Sequence, residues 1–254
     1  MAVIAVFNQK GGVGKTTTCL NVAASLALLG RNPLVIDLDP QAHLTLACGL
    51  KPASAAESIA AFYRDDKPLH ELVHHLPSGV RLIPSHPELS KIDALYGKST
   101  AITTRLKLGL EQRLAWEDAP VLIDCCPMLG VLSLNAVFAA DRVLIPVSAD
   151  FLSLQGLYRL DAALRVLEGA LQRKIERKAV LTRFDARRKL SFEIFERLKE
   201  LLGPDLCETR IAENVSLAES PAHGKDVFAY APHSPGARDY GNLTMELLSK
   251  GFFE

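Results

Sequence analysis

The stretch Lys10-Gly11-Gly12-Val13-Gly14-Lys15-Thr16-Thr17 decides the fold, because it lies between an apolar run and an Ala- and Leu-rich segment. The run at 2–7 is typical of a strand buried on both faces of a sheet. Residues 16–29 favour a helix, and Gly30 stands where that helix would end. A glycine turn that opens a helix surrounds phosphate groups with backbone amides. The sequence therefore predicts a nucleotide-binding loop. A glycine-rich turn with no binding role is the alternative, and the Lys15-Thr16 pair that follows the glycines argues against it.

This loop departs from the ordinary phosphate-binding pattern G-x-x-x-x-G-K-[ST]. Gln9 stands where the first glycine belongs, and Lys10 is an additional lysine at the front of the loop. The loop therefore has two cations where the ordinary one has a single lysine, Lys15.

A second apolar run, at 34–38, ends in two carboxylates, Asp37 and Asp39, followed by Pro40. Ligands of open α/β sheets bind beyond the carboxyl ends of the strands. We expect Asp37 to face a magnesium ion and its waters, and Asp39 to reach a water near the terminal phosphate. An Asp- and Pro-rich turn at a strand end is the alternative, and it is less favoured beside a phosphate loop.

A third apolar run, at 120–124, ends in a single carboxylate, Asp124. Magnesium takes oxygen ligands in octahedral positions and retains several waters. Thr16 is therefore the candidate for a direct hydroxyl ligand, and Asp124 for a ligand that acts through a water.

Four stretches together resemble the ParA/Soj branch of the ParA–MinD ATPases, a family with a deviant Walker A loop. They are the loop at 10–17, the run at 37–41, the strand that ends in Asp124, and residues 216–225. The similarity is collinear from residue 1 to about residue 248 and includes 132–136, 143–147 and 155–157. The family more often has proline at the position of Cys126 and serine at that of Met128.

The resemblance implies a role for each residue of the predicted site. Lys10 would reach across an ATP-bound homodimer to the phosphates held by the partner, so that two subunits enclose two nucleotides. Lys15 would bind the β and γ phosphates, and Asp39 would position the attacking water. Thr16 would bind magnesium, with Asp37 and Asp124 supporting the metal shell. The resemblance also implies that Asn214 lies near the adenine of ATP.

Alternating segments predict an α/β fold with a doubly wound, mostly parallel sheet and helices on both faces. Further strands are expected near Val80–Pro84, Val121–Asp124, Val143–Val147, Ala179–Thr182 and Leu206–Ile211. Further helices are expected near Glu88–Arg113, Ser153–Leu171, Ser191–Leu202 and Gly236–Leu248. The segment 51–77 is the least regular part of the sequence.

Composition predicts one P-loop ATPase domain over residues 1–254, since 48% of residues are hydrophobic, 23% are charged and no linker is visible. No run of eighteen apolar residues exists, and the first strand begins directly after Met1, so we expect a cytoplasmic protein. The five cysteines form no C-x-x-C pair and are interpreted as reduced, mostly buried thiols. His70 and His74 have the spacing to share a helix face and bind metal, but solvated histidines are the favoured interpretation.

Binding to DNA requires local cations here, because the net charge is zero and the pI is about 7.1. One candidate cluster contains Arg183 with Arg187-Arg188-Lys189, and the other is the run at 173–178. The resemblance favours the first for nonspecific DNA contact. Glu213 and Ser216 stand where the family usually has arginines. Solvated helix and loop faces are the alternative for both clusters.

The sequence thus predicts an Mg²⁺-dependent ATPase that dimerises with ATP and binds DNA to segregate or position a plasmid, a chromosome or a protein assembly, with a stimulating partner protein. The alternative is a MinD-like membrane-associated ATPase, although the last residues, 246–254, contain one basic residue and a glycine and are a poor anchor. A metabolic P-loop enzyme or an iron–sulfur carrier is less favoured, since no cluster-binding cysteine spacing is present.

Overall fold

The computed structural model describes residues 2–96, 101–113 and 119–254. Its strands are β1 (Val3–Val6), β2 (Leu34–Asp37), β3 (His74–His75), β4 (Arg81–Ile83), β5 (Val121–Asp124), β6 (Arg142–Ser148), β7 (Glu176–Phe184) and β8 (Leu206–Ala212). They form one sheet in the order β3-β4-β2-β5-β1-β6-β7-β8. All neighbouring strands are parallel except the edge strand β3, which pairs antiparallel with β4. The predicted fold class is confirmed.

The helices are α1 (Lys15–Leu28), α2 (His43–Ala47), α3 (Ile59–Asp65), α4 (Ser90–Tyr96), α5 (Arg105–Arg113), α6 (Val131–Ala139), α7 (Phe151–Leu171), α8 (Lys189–Leu202), α9 (Val215–Glu219), α10 (Val227–Tyr230) and α11 (Pro235–Ser249). Helices α1 to α8 lie between the strands in the chain, and α9 to α11 follow β8. Gly30 follows α1 with a φ of 74°, as its predicted place at the helix end requires. None of the helices described in the three ranges is both long and apolar enough to cross a bilayer.

Two hydrophobic cores lie on opposite faces of the sheet, because side chains alternate along each strand. Ile4 and Val6 of β1 belong to the core covered by α1 and α11, together with Leu26 and Leu243. Their neighbours on β1 belong to the other core, which α3 and α5 to α8 cover. The strands at the centre are therefore buried on both sides, and their carboxyl ends are held in a fixed relation to one another.

The single helix predicted over Glu88–Arg113 is wrong. A 3₁₀ turn at Pro87–Leu89 leads into α4, and a second 3₁₀ turn at Ala101–Thr104 precedes α5. The intervening part of the prediction, 97–100, lies outside the described residues. The amide of Leu106, at the start of α5, donates to Asn135 Oδ1 of α6 at 3.1 Å. This helix thus begins where a side chain of another helix satisfies its first turn, which local sequence does not reveal.

The last residues of the sequence return to the sheet after α11. Phe252 and Phe253 are buried in the core that α1 and α11 cover. Arg142 of β6 donates to the carbonyls of Phe252 (3.3 Å) and Glu254 (2.6 Å). The aromatic side chains of this segment are therefore part of the core rather than presented on the surface.

Candidate nucleotide and metal site

The loop between β1 and α1 has the geometry of an anion cradle. Gly12 and Gly14 have φ values of 74° and 86°, a left-handed conformation that favours glycine. Gly14 is the N-cap of α1, and no side chain of the described residues caps this helix. The first amides of α1 are therefore available to a bound anion, which the helix dipole also favours.

Lys15 lies buried at the base of this loop. Its ammonium group donates to the Lys10 carbonyl at 3.0 Å. Burial lowers the pKa of Lys15, and the nearby Asp124 and Asp39 carboxylates act in the opposite direction. A buried cation with one neutral acceptor is stabilised by a negative charge, such as a phosphate, placed beside it.

Thr16 and Asp124 meet beneath the loop, as their predicted shared role requires. Thr16 Oγ1 donates to Asp124 Oδ2 at 2.8 Å. The other oxygen, Asp124 Oδ1, is buried and has no hydrogen-bond partner among the described residues. Burial, and then the neighbouring Asp37, raise the pKa of Asp124 well above its usual value. A cation at this place would satisfy the unpartnered oxygen and favour the ionised carboxylate.

Asp37 is held more tightly than its sequence position suggests. Its Oδ2 accepts from the amide (2.9 Å) and the hydroxyl (2.7 Å) of Thr45, and its Oδ1 accepts from the Asp39 amide (3.1 Å). Burial raises the pKa of Asp37 to about 6, although the bonds from Thr45 act to lower it. Asp37 is thus a fixed acceptor next to the Thr16–Asp124 pair.

These donors suit magnesium better than a transition metal. Within the described ranges, no group of three or more His, Cys, Asp or Glu side chains is arranged to hold a metal ion. A hydroxyl and one or two carboxylates provide few protein ligands, all of them oxygen, and magnesium usually retains waters and phosphate oxygens for its remaining positions. The residues present therefore fit the predicted ion.

Asp39 lies at the mouth of the site, where it is less buried than Asp37. Its Oδ1 accepts from the Gln41 amide (2.9 Å), and its carbonyl accepts from Ser85 Oγ (2.7 Å). Ser85 in turn donates its amide to Thr45 Oγ1 at 2.9 Å. Thr45 and Ser85 thus hold both aspartates in place, and sequence reasoning missed them because they belong to separate elements without a motif.

Lys10 points away from Lys15 and is bound within its own chain. Its ammonium group donates to both oxygens of Asp150 (2.6 and 2.7 Å) and to Ser153 Oγ (2.8 Å). Partial burial acts to raise the pKa of Asp150, but hydrogen bonds from Lys10, Ser148 and Ser153 outweigh it and lower the pKa to about 2. The two lysines of the loop therefore have different environments: one is buried at the cradle and the other is paired at its rim.

A cavity of about 230 Å³ continues from the loop toward the ends of β7 and β8. It is lined by Gly12, Gly14 and Thr17 on one side and by Arg183, Glu213 and Asn214 on the other, among further residues. Pockets for whole ligands usually measure roughly 300–1,000 Å³. This cavity is smaller than one for a whole nucleotide, and Asn214 is among the residues that line it. The contact of Asn214 with adenine stays a prediction.

The predicted DNA cluster is exposed, but each of its cations has an acidic partner. Arg187 and Arg188 both pair with Asp185, Lys189 pairs with Glu193, and Arg183 pairs with Glu213. The side chains of Arg187 and Lys189 are 89% and 91% exposed. The pairs of Lys189 and Arg183 are exposed on both sides and contribute little energy, so these cations are available to other anions. Asp185, the shared partner of Arg187 and Arg188, is only 7% exposed, so these two guanidinium groups are exposed but held at one end by a buried carboxylate. Arg183 differs from the other three because it lines the cavity.

The second basic run, at 173–178, is structural. Arg177 pairs with Asp161 and Glu168, and Lys178 is buried against the Pro204 carbonyl. These two side chains are therefore held by the protein itself and offer little to a nucleic acid.

The cysteines and histidines give no second site. Cys19, Cys125, Cys126 and Cys207 are buried, Cys48 is partly buried, and the five are thiols rather than disulfides. Burial raises the pKa of Cys48 and of Cys207 to about 12, which keeps these thiols protonated and unreactive. His70 and His74 do not share a helix face, because one belongs to a 3₁₀ turn and the other to β3.

Comparisons with known proteins agree with this geometry. Residues 1–177 match the family described as an AAA domain. The chain is 34% identical over 251 residues to the sporulation initiation inhibitor protein Soj of Bacillus subtilis (strain 168), covering 98% of this chain and 99% of that protein. It is 37% identical over 250 residues to the chromosome-partitioning ATPase Soj of Thermus thermophilus, covering 97% and 95%. A solved structure of cobyrinic acid a,c-diamide synthase from Mycobacterium smegmatis, with bound ADP and magnesium, has a TM-score of 0.83 and 27% identity and covers 98% and 94%.

Proposed function

The chain belongs to the family of ParA and Soj partitioning ATPases, and from this premise we propose that it is an ATP-driven dimerising switch that positions a cargo on DNA. The meeting of Thr16 and Asp124 beneath a loop with two differently placed lysines carries this proposal. The relative from Thermus thermophilus that is named for chromosome partitioning is 37% identical to the chain and the metabolic synthase 27%, which favours partitioning over a metabolic reaction.

ATP would bind with its phosphates on the loop and its base in the adjoining cavity. The amides at the start of α1 and the buried ammonium of Lys15 neutralise the phosphate oxygens. Thr16 and Asp124 would hold Mg²⁺, with Asp37 behind them. When bound, the ion supplies positive charge that stabilises the developing negative charge on the phosphates. Phosphoryl transfer of this kind depends on position and charge more than on covalent chemistry.

Asp39 is the group that we assign to the attacking water. It follows the buried Asp37 on a turn whose backbone is bonded to Asp37 and to Ser85, and its carboxylate accepts from the Gln41 amide. A carboxylate at the mouth of the site orients water toward the terminal phosphate. Hydrolysis to ADP and phosphate would then reset the switch.

Lys10 is the group that we assign to dimerisation. In one chain it is bound to Asp150 and Ser153, at the beginning of α7. In the ATP-bound dimer it would exchange these partners for the phosphates held by the other subunit. The exchange replaces a carboxylate by a more highly charged acceptor, so ATP, with its terminal phosphate, favours it most. Nucleotide state would thereby set the oligomeric state.

DNA is the surface that we propose for the dimer. Arg187, Arg188 and Lys189 are exposed at one end of α8, where their cationic groups can meet phosphates. The pair of Lys189 with Glu193 is exposed on both sides and easily exchanged, whereas Arg187 and Arg188 would add phosphate contacts beside the buried Asp185. Dimerisation would present two such clusters, which strengthens weak binding by avidity. Phe252 and Phe253 are buried in the core, so these two aromatic side chains are not available to a membrane. The protein would then act in the cytoplasm on the nucleoid, with a partner protein that stimulates hydrolysis.

The test compares the variants Asp39→Ala and Lys10→Ala by light scattering with ATP and Mg²⁺. We expect Asp39→Ala to accumulate as an ATP-bound dimer with hydrolysis reduced by about 10²-fold or more. Lys10→Ala should retain ATP binding and remain monomeric. A normal ATP-dependent dimer in Lys10→Ala, or unchanged hydrolysis in Asp39→Ala, contradicts the assigned roles.

A further inference from the structure

Strand β7 carries a bulge next to the cavity. Leu181 pairs with Arg210 of β8, but Phe184 pairs with Ala212, so three steps on β7 match two on β8. The extra length lies at Thr182 and Arg183. Bulges are common beside functional sites because they redirect a side chain that a regular strand would point elsewhere.

Arg183 has the backbone conformation that marks this bulge. Its φ is 54°, in the left-handed region, which is strained for residues other than glycine. The other such non-glycine residues in the described ranges, Asn32, Ala42, Asp66 and Gln172, lie outside the strands, in loops and helix caps. A strained arginine inside a strand is therefore a local feature that the surrounding structure enforces, and such strain clusters at ligand sites.

The side chain of Arg183 pairs with Glu213 along one wall of the cavity. Its guanidinium lies 3.4 Å from the Glu213 carboxylate, and both residues line the cavity together with the loop glycines. The two side chains are 59% and 47% exposed, so water competes for both and the pair is weak. A weak pair that spans a cavity wall is easily opened by a ligand.

We propose that Arg183 and Glu213 form a clasp over the nucleoside, in which the guanidinium leaves Glu213 and stacks on the face of the bound base. The inference rests on the proposed function, because it assigns the cavity to the base of the nucleotide. A guanidinium is planar and weakly hydrated, so it stacks well on aromatic rings and carries its charge over them. Arg183 is thus assigned to nucleotide affinity rather than to DNA contact, the role that the family resemblance implied for its cluster.

The experiment measures the Kd of ATP and of inorganic tripolyphosphate for Arg183→Ala, with thermal unfolding as a check on folding. We expect ATP to bind about tenfold more weakly and tripolyphosphate to bind as in the wild type, because the lost contact is with the base. Equal weakening of both ligands would mean that Arg183 acts only through its charge on the phosphates. An unchanged Kd for ATP would overturn the clasp.

Three further variants separate stacking from charge and from the pair itself. Arg183→Lys keeps the charge without the planar group, and we expect ATP affinity between those of the wild type and Arg183→Ala. Glu213→Gln releases the arginine, so ATP should bind at least as tightly as in the wild type. Arg197→Ala removes an exposed arginine of α8 that does not line the cavity, and its ATP affinity should not change. Weakening in Glu213→Gln equal to that in Arg183→Ala would refute the clasp.

The two proposals fail in different ways. If the wild-type protein does not bind ATP, the proposed function is wrong. If the wild type binds and hydrolyses ATP while Arg183→Ala binds it equally well, only the clasp is wrong.

Discussion

The phosphate side of the site and its β7–β8 side use charge in opposite ways. At the ends of β1, β2 and β5, the charged groups Lys15, Asp37 and Asp124 are buried. At the ends of β7 and β8, Arg183 and Glu213 are largely exposed and bonded mainly to each other. Buried groups lose much energy when a partner is removed, whereas exposed pairs lose little. The phosphate side is therefore fixed before the nucleotide arrives, and the other side is able to rearrange around it.

The largest effect is expected from Lys15→Ala on the phosphate side. The buried ammonium is the charge closest to the base of the cradle, and its loss should reduce hydrolysis by about 10³-fold. Steady-state phosphate release measures this effect, with circular dichroism to confirm folding. Hydrolysis within tenfold of the wild type would mean that this buried lysine does not serve the phosphates.

Thr45→Val sharpens the contrast by removing two hydrogen bonds of the Thr45 hydroxyl without changing any charge. Asp37 loses the Thr45 hydroxyl at 2.7 Å, and the Ser85 amide loses its acceptor. We expect the free energy of unfolding to fall by about 2–3 kcal/mol in urea titrations without nucleotide, because a buried carboxylate is left short of donors. Thr45→Ser keeps the hydroxyl and is the matched control. Equal stability of Thr45→Val and the wild type would show that this side is less rigidly fixed than we infer.

A charge reversal tests whether the exposed cations near the β7–β8 side bind DNA. Changing Arg187, Arg188 and Lys189 to Glu should abolish ATP-dependent DNA co-sedimentation at moderate salt. In the wild type, log K should fall with log salt at a slope that reflects the phosphates contacted. The control changes Lys51, Lys107 and Arg197 to Glu, with the same change in net charge at exposed positions elsewhere. DNA binding that is independent of salt, or equally lost in the control, would contradict a DNA surface at this cluster.

The smallest effect is expected for Arg183→Met in the absence of nucleotide. Its pair with Glu213 is exposed on both sides, so the free energy of unfolding should change by less than about 1 kcal/mol. A larger loss in urea titrations would make this pair a structural element and remove the contrast between the two sides.

Sequence patterns predicted the position of the phosphate side well, because most of its charged residues belong to short contiguous motifs. The strand, loop and helix at 2–29 and the carboxylates Asp37 and Asp124 lie where their motifs imply. Thr45 and Ser85 were not predictable, since their roles depend on contacts across 40 residues between elements without a motif. In the sequence, Thr45 and Ser85 are simply hydroxyl residues that follow strands β2 and β4. Such residues are too common after strands to indicate a role in the site.

The β7–β8 side was predicted less well, because the sequence shows that a residue is charged but not which group it pairs with or which cavity it lines. Arg183 and Arg187 have the same residue type four positions apart, yet only the first lines the cavity. Arg183 lies in the bulge of β7. The bulge arises from unequal numbers of residues in the paired segments of β7 and β8, so it cannot be recognised from either strand alone. The division of the segment 88–113 into separate helices was not predicted for a similar reason. Helix α5 begins where the Leu106 amide donates to Asn135 of α6, a residue distant in sequence.

The order of the strands has a consequence for synthesis on the ribosome. β1 pairs with β5 and β6, which follow it by more than a hundred residues. The loop after β1 is therefore made before either strand that flanks β1 in the sheet, and β1 is held on both sides only once β6 has been made. Such distant pairing slows folding and leaves early segments exposed. The nascent chain should consequently acquire nucleotide affinity late and abruptly, after most of it has been translated.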